Sequence, residues 1–207
     1  MDVEHEISRV ERTVGSRVLP AGDARVVTVS RTYRTPAEDV WDACTSAERI
    51  ARWFMPVSGT LEVGGHYQLE GNAGGTISSC DPPRSFAATW EYGGDVSWIE
   101  VTLTPTDDGT RFTLDHISHV DDERWAEYGP GAVGVGWDLG LYGLTQHLAD
   151  PSADVHAQGM EWAGTDEARR FMTLSSEAWY RAAVAGGDTP TIARAAADRT
   201  IAAYTGT

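Results

Sequence analysis

Two histidines at the end of a strand-like run, His116 and His119 in the stretch LDHISHV, are the first residues whose types and spacing suggest chemistry. A His-x-x-His pair supplies two imidazole ligands, but a metal site needs further donors at a helpful spacing, and none follows. No metal is therefore assigned. Serine nucleophiles are presented on a Gly-x-Ser-x-Gly elbow, which the chain lacks. Cys44 has no base partner in the sequence, and a thiol in that position reads as inert. All 16 basic residues are arginine, so the absence of lysine removes Schiff-base chemistry and amine nucleophiles. Arg31 is more telling. It keeps step with Val27, Val29 and Tyr33, so its guanidinium points with apolar side chains. Such a cation needs either a carboxylate in an internal ion pair or the acid group of a ligand. No catalytic residue and no cofactor is assigned.

The elements that must position these residues are legible from turn chemistry and periodicity. A β-branched run over about 25–33 stops at Thr35-Pro36, where proline starts a helix over 36–44 with Glu38 and Asp39 at its positive end. Thr45-Ser46 caps a second short helix over 46–53, which ends at Trp53-Phe54. Glycine and proline turns then separate strands at Leu61–Val63, His66–Glu70, Thr76–Cys80, Ser85–Tyr92, Val96–Thr104 and Thr110–Ser118. With the first run these make a seven-stranded antiparallel sheet. One face alternates as apolar: Phe86, Ala88, Trp90 and Tyr92, then Ile99, Val101 and Leu103, then Phe112, Leu114 and His116. A helix from Asp121-Asp122-Glu123, broken at Gly129-Pro130-Gly131 and resuming to Ala149, is the expected cover. Trp137, Leu141, Leu144 and Leu148 form its apolar stripe. Gly134, Gly136, Gly140 and Gly143 on that helix cost about 1 kcal/mol each relative to alanine. They imply either close backbone approach or volume left for a ligand or a dimer partner.

These features together resemble the START-like, or SRPBCC, superfamily, in the branch named after the activator of the heat-shock-protein-90 ATPase. The residues that carry the resemblance are Arg31, Pro36-Ala37, Val40-Trp41, Trp53-Phe54, Gly64-Gly65 with Tyr67, Asp81-Pro82-Pro83-Arg84, Trp90 and Gly136-Trp137. The resemblance covers roughly residues 24–149. It implies an α+β helix-grip fold, a curved antiparallel sheet around a long helix, with a binding cavity in between. Members of the superfamily bind, transport, cyclise or assist chaperones.

The leading expectation is binding of a small, largely apolar ligand, with Arg31, Trp53, Tyr67, Ile77, Trp90, His116, Trp137 and Leu141 lining the cavity. The aromatics supply area and the histidine a polar handle. A chaperone-linked or regulatory interaction module is the second reading. It is weakened because only about 23 residues precede the first strand of the domain. A cyclase- or hydratase-like enzyme is the third, and it would need more acid/base groups than His116 with Arg31 or Tyr67. The chain is read as a binding protein rather than an enzyme.

Composition bounds the rest. A chain of 207 residues buries about 70% of its unfolded surface. With 31 acids against 16 arginines, the net charge of −15 repels phosphate backbones and anionic headgroups, so neither nucleic acid nor membrane is expected as a partner. No apolar run approaches a membrane span, and the acidic N-terminus does not read as a signal peptide. Cys44 and Cys80 read as buried thiols of a cytoplasmic protein. The expected organisation is a lead-in over 1–23, the START-like domain over 24–149 and a helical extension over 150–207. In the extension, Thr165 starts a helix to about Ala185 and Thr189-Pro190 a second. Their stripes (Phe171, Leu174, Ala178, Ala182; Ala193, Ala197, Ile201, Tyr204) must dock on the same chain or in a homodimer.

Overall fold

The computed structural model describes residues 2–206. The chain opens with α1 (Val3–Ser8), capped by Asp2, whose carboxylate accepts from the His5 N–H at 3.0 Å. β1 (Glu11–Leu19) and β2 (Gly22–Tyr33) follow as a hairpin, and the helix pair α2 (Ala37–Thr45) and α3 (Ala47–Trp53) comes next. Six further strands are β3 (Val57–Gly59), β4 (His66–Leu69), β5 (Gly74–Asp81), β6 (Ser85–Tyr92), β7 (Asp95–Thr106) and β8 (Gly109–Ser118). The chain ends in α4 (Asp122–Tyr128), α5 (Gly131–Ala149), α6 (Val155–Trp162), α7 (Asp166–Ala185) and α8 (Pro190–Thr205). No helix among the described residues is long and apolar enough to cross a membrane.

The architecture is the expected α+β helix-grip fold with a C-terminal helical extension, but the antiparallel sheet has eight strands rather than seven. Its order is β1-β2-β8-β7-β6-β5-β4-β3. β1 escapes the alternation test because it is an edge strand without a fully buried residue, and Val18 is 80% exposed. Leu61–Val63, expected as a strand, is instead a loop closed by backbone bonds from Thr60 N–H to His66 C=O and from Gly65 N–H to Glu62 C=O. The third strand forms earlier, where Val57–Gly59 pairs with Tyr67–Leu69. α6, in a stretch without an apolar stripe, is also absent from the expected elements.

The chain folds into two compact units that interleave in sequence. Unit 1 comprises residues 1–29, 117–139 and 160–207; unit 2 comprises 30–116 and 140–159. In unit 2, β6 and β7 pair in continuous register from Ser85↔Thr102 to Tyr92↔Asp95, which puts Phe86, Ala88 and Trp90 opposite Val101, Ile99 and Ser97. Trp41 of α2 meets Phe86 edge-on at 6.0 Å, so α2 covers this face. The second half of α5 covers it too, since Tyr33 donates its hydroxyl to the Leu141 carbonyl at 3.1 Å. A Cβ on Gly143 would lie 2.6 Å from the Trp53 carbonyl oxygen, which is why α3 and α5 pack there only through glycine.

In unit 1, α7 and α8 are ordered and docked. Thr165 caps α7 by accepting from the Ala168 N–H, while Thr189 starts α8 without a side-chain cap. Phe171 and Trp179 of α7 are fully buried. A Cβ on Gly134 would stand 2.2 Å from the Trp179 ring, and Tyr204 donates to the Ala132 carbonyl at 3.1 Å. For Gly134 and Gly143, then, close approach is what the missing side chain permits.

Candidate functional site

A sheet face built from alternating apolar residues in unit 2 carries four buried polar side chains: Thr110, which donates to the Thr35 carbonyl at 2.7 Å, and three more. Arg31 is 6% exposed, Ser97 9% and His116 4%. Each sits in phase with apolar neighbours: Arg31 with Val29 and Tyr33, Ser97 with Ile99 and Val101, His116 with Leu114 and Phe112. Edge-on contact of Tyr33 with Phe112 at 6.5 Å shows that the β2 and β8 residues share this face.

His116, Ser97 and Trp90 form one hydrogen-bonded cluster. The Ser97 hydroxyl donates to the Trp90 carbonyl at 3.0 Å. Having spent its only proton, it accepts from His116 Nε2 at 3.0 Å, which assigns the tautomer and leaves Nδ1 as the acceptor end of the ring. The Trp90 and His116 rings meet edge-on at 6.2 Å. Burial pushes the imidazole pKa down to about 4, so the ring is neutral at physiological pH. Because His116 donates to Ser97 and does not accept from it, the pair does not activate the serine as a nucleophile. It holds a neutral hydrogen-bonding edge beside an indole.

The Arg31 guanidinium carbon lies 5.7 Å from the Tyr33 ring centroid, within cation–π reach. Through Tyr33 it connects to the backbone of Leu141, itself buried. Tyr67 is buried and donates to the Thr89 carbonyl at 2.7 Å, and burial followed by the nearby Glu91 charge raises its pKa to about 12. Ile77, half-buried, faces Ala88 across the β5–β6 ladder. Trp53 is placed differently. Its indole N–H ties α3 to the Ala43 carbonyl of α2 at 2.9 Å, and its ring tilts against Phe54. Trp137 is half-buried and belongs to unit 1. The structure thus gathers Trp90 with His116, and Arg31 with Tyr33 and Leu141, on one face of unit 2.

Both cysteines were expected to be buried; Cys44 is half-buried as a residue and Cys80 is exposed. The Cys44 thiol pKa is pushed up to about 12 by desolvation. Cys80 is exposed because the last four residues of β5, Ser78–Asp81, all lie open to solvent. His119 Nδ1 lies 2.9 Å from the Asp23 carbonyl oxygen, within hydrogen-bonding distance. No group of three or more metal-ligating side chains occurs among the described residues.

Two polar clusters have no counterpart in the sequence reading. In unit 1, Asp138 is buried and one carboxylate oxygen accepts from Arg12 Nε at 2.9 Å, Ser175 Oγ at 2.5 Å and Trp179 Nε1 at 3.1 Å. Burial raises its pKa, against Arg12, which pulls it down. In unit 2, Arg49 donates to His147 Nε2 at 3.1 Å and pairs with Asp39 at 2.6 Å and Asp42 at 3.0 Å. Desolvation first, then Arg49 and Arg52, lowers the His147 pKa. Ser97, by contrast, had a signal: a small polar residue at an inward position of an alternating strand.

Residues 34–149 match the family described as Activator of Hsp90 ATPase homolog 1-like protein. The chain is similar to CalU16 from Micromonospora echinospora. Against its crystal structure the identity is 33% and the TM-score 0.67, over 84% of this chain and 97% of that one. Against its solution structure the identity is 33% and the TM-score 0.69, over 86% and 97%. Residues 1–149 make up only about 72% of the 207 residues, so the likeness runs into the C-terminal helices. Protein MLL2253 from Mesorhizobium loti is 25% identical with a TM-score of 0.55, over 60% of this chain and 97% of that one. No curated protein matches.

Proposed function

This chain belongs to the Activator of Hsp90 ATPase homolog 1-like family, and from that premise we propose that unit 2 binds a small, largely apolar ligand carrying one acidic or hydrogen-bonding group. The observation that carries the reading is that Arg31, Ser97 and His116 are buried on a sheet face that is otherwise apolar except for Thr110, whose hydroxyl is used by the Thr35 carbonyl. Buried polar groups on such a face are where orientation and specificity reside. In this reading Trp90 supplies a flat apolar surface. His116 and Ser97 present a neutral hydrogen-bonding pair, and Arg31 supplies the cation for an acid group.

Native mass spectrometry of protein purified without denaturation tests this. An added mass of a few hundred daltons, lost on mild activation and reduced in Arg31→Gln and His116→Phe variants that still fold, is the expected result. Wild-type protein of bare chain mass, whose Trp90 indole resonance also stays fixed on titration with small aryl carboxylic acids, would contradict it.

A further inference from the structure

A groove of about 500 Å3 lies in unit 1, built by α1, β1 and α7. All its residues fall outside 34–149, so membership of the family assigns nothing to it. Its volume is in the range of small-molecule sites. Ile7, Val10 and Leu174 line it with branched side chains, and Ala178 and Ala182, one turn apart on α7, leave a shallow apolar wall.

The charges around this groove do not cancel. Arg12 is nine-tenths buried and balanced by Asp138. Its Nη1 donates to the carbonyls of Ile7 and Val10 at 3.1 Å and 2.9 Å, which fixes the guanidinium, and its buried Nη2 has no acceptor among the described residues. Glu4 is engaged by Arg170, which lowers its pKa. Arg181 is exposed at the groove and has no carboxylate partner among the described residues. The uncompensated charge is therefore positive, on a chain of net charge −15.

We propose that this groove binds an amphiphilic carboxylate, its hydrocarbon body against Leu174, Ala178 and Ala182 and its acid group on Arg181. A single arginine matches a monoanionic carboxylate bidentately. A phosphate dianion needs more cations than one and meets Glu4 at the same groove. The proposal is independent of the ligand reading for unit 2.

The test is a titration of 15N-labelled full-length protein with octanoate, using octan-1-ol as the uncharged match. Expected are saturable shifts at amides of residues 7–12 and 174–185, with the alcohol binding at least about fivefold more weakly, as one partly exposed ion pair supplies. Arg181→Gln, at an exposed position, should bring octanoate to the alcohol's affinity without moving the urea midpoint of the free protein. Equal affinities of acid and alcohol overturn the proposal, as does the absence of saturable shifts. Shifts centred on Trp90 and His116 overturn it as well, by placing the acid in unit 2. So does a doubled mass in light scattering without ligand, if Arg181→Gln restores the single mass, because a second copy then fills the groove.

Discussion

Gly134 of α5 and Trp179 of α7 are packed so closely that a Cβ on the glycine would lie 2.2 Å from the indole Cε2. A glycine within a helix is a cost of about 1 kcal/mol, which this contact more than returns by letting a fully buried tryptophan lie flat on the helix backbone. Gly134→Ala should therefore destabilise by more than about 2 kcal/mol despite its better helix propensity, because Trp179 is walled in and cannot step aside. Gly136→Ala is the control. Its Cβ would stand 3.5 Å from the Tyr204 hydroxyl, an ordinary contact, so the change should be neutral or gain up to about 1 kcal/mol. Urea denaturation of both variants measures the difference, and a harmless Gly134→Ala would refute the packing argument.

The Asp138 hub should be the most sensitive polar position in unit 1. Asp138→Ala leaves the buried Arg12 guanidinium without its carboxylate and strands donors on Ser175 and Trp179, so a loss of about 3–5 kcal/mol is expected. Asp138→Asn keeps an acceptor oxygen and should lose less. Chemical denaturation at neutral pH should rank wild type above Asn and Asn above Ala.

His116 makes stability depend on pH. Its pKa is about 4 in the fold against an ordinary 6.5, so the unfolded chain takes up the proton first. The stability it contributes is complete above pH 6.5 and is lost as pH falls from 6.5 towards 4. Below that the folded form is protonated too, and the loss levels off. The full difference is about 3 kcal/mol. A wild-type urea midpoint that falls across this window more steeply than that of His116→Gln is the expected outcome, whereas parallel curves would contradict it.

The two thiols should differ by orders of magnitude in reactivity. Cys80 is exposed, whereas Cys44 is half-buried and desolvation pushes its thiol pKa up to about 12. A disulfide-exchange reagent at pH 8 should titrate one thiol per native chain quickly and the second only on unfolding. Cys80→Ser should abolish the fast phase.

Helix and strand positions were legible because their signals are local. Asp121 caps α4, Gly129-Pro130 separates α4 from α5 and Thr165 caps α7, each through atoms a few residues apart. Alternation likewise marked the covered face of β6, β7 and β8, and placed Arg31 and His116 on it, since pleat direction follows from sequence parity. Tyr92, expected on that face, is instead 60% exposed at the end of β6. Tertiary structure alone decided the remainder. β1 is held by sheet pairing and carries no buried face to advertise it. Cys80 lies on a strand end that nothing covers, although a cysteine within a strand reads as buried. Asp138 looks like an isolated acid in an apolar helix; its partners Arg12, Ser175 and Trp179 lie 126, 37 and 41 residues away. No spacing rule links residues so distant. Only the packing of α5 with β1 and α7 brings them within hydrogen-bonding range, and it is that packing which turns an expensive buried charge into the anchor of unit 1.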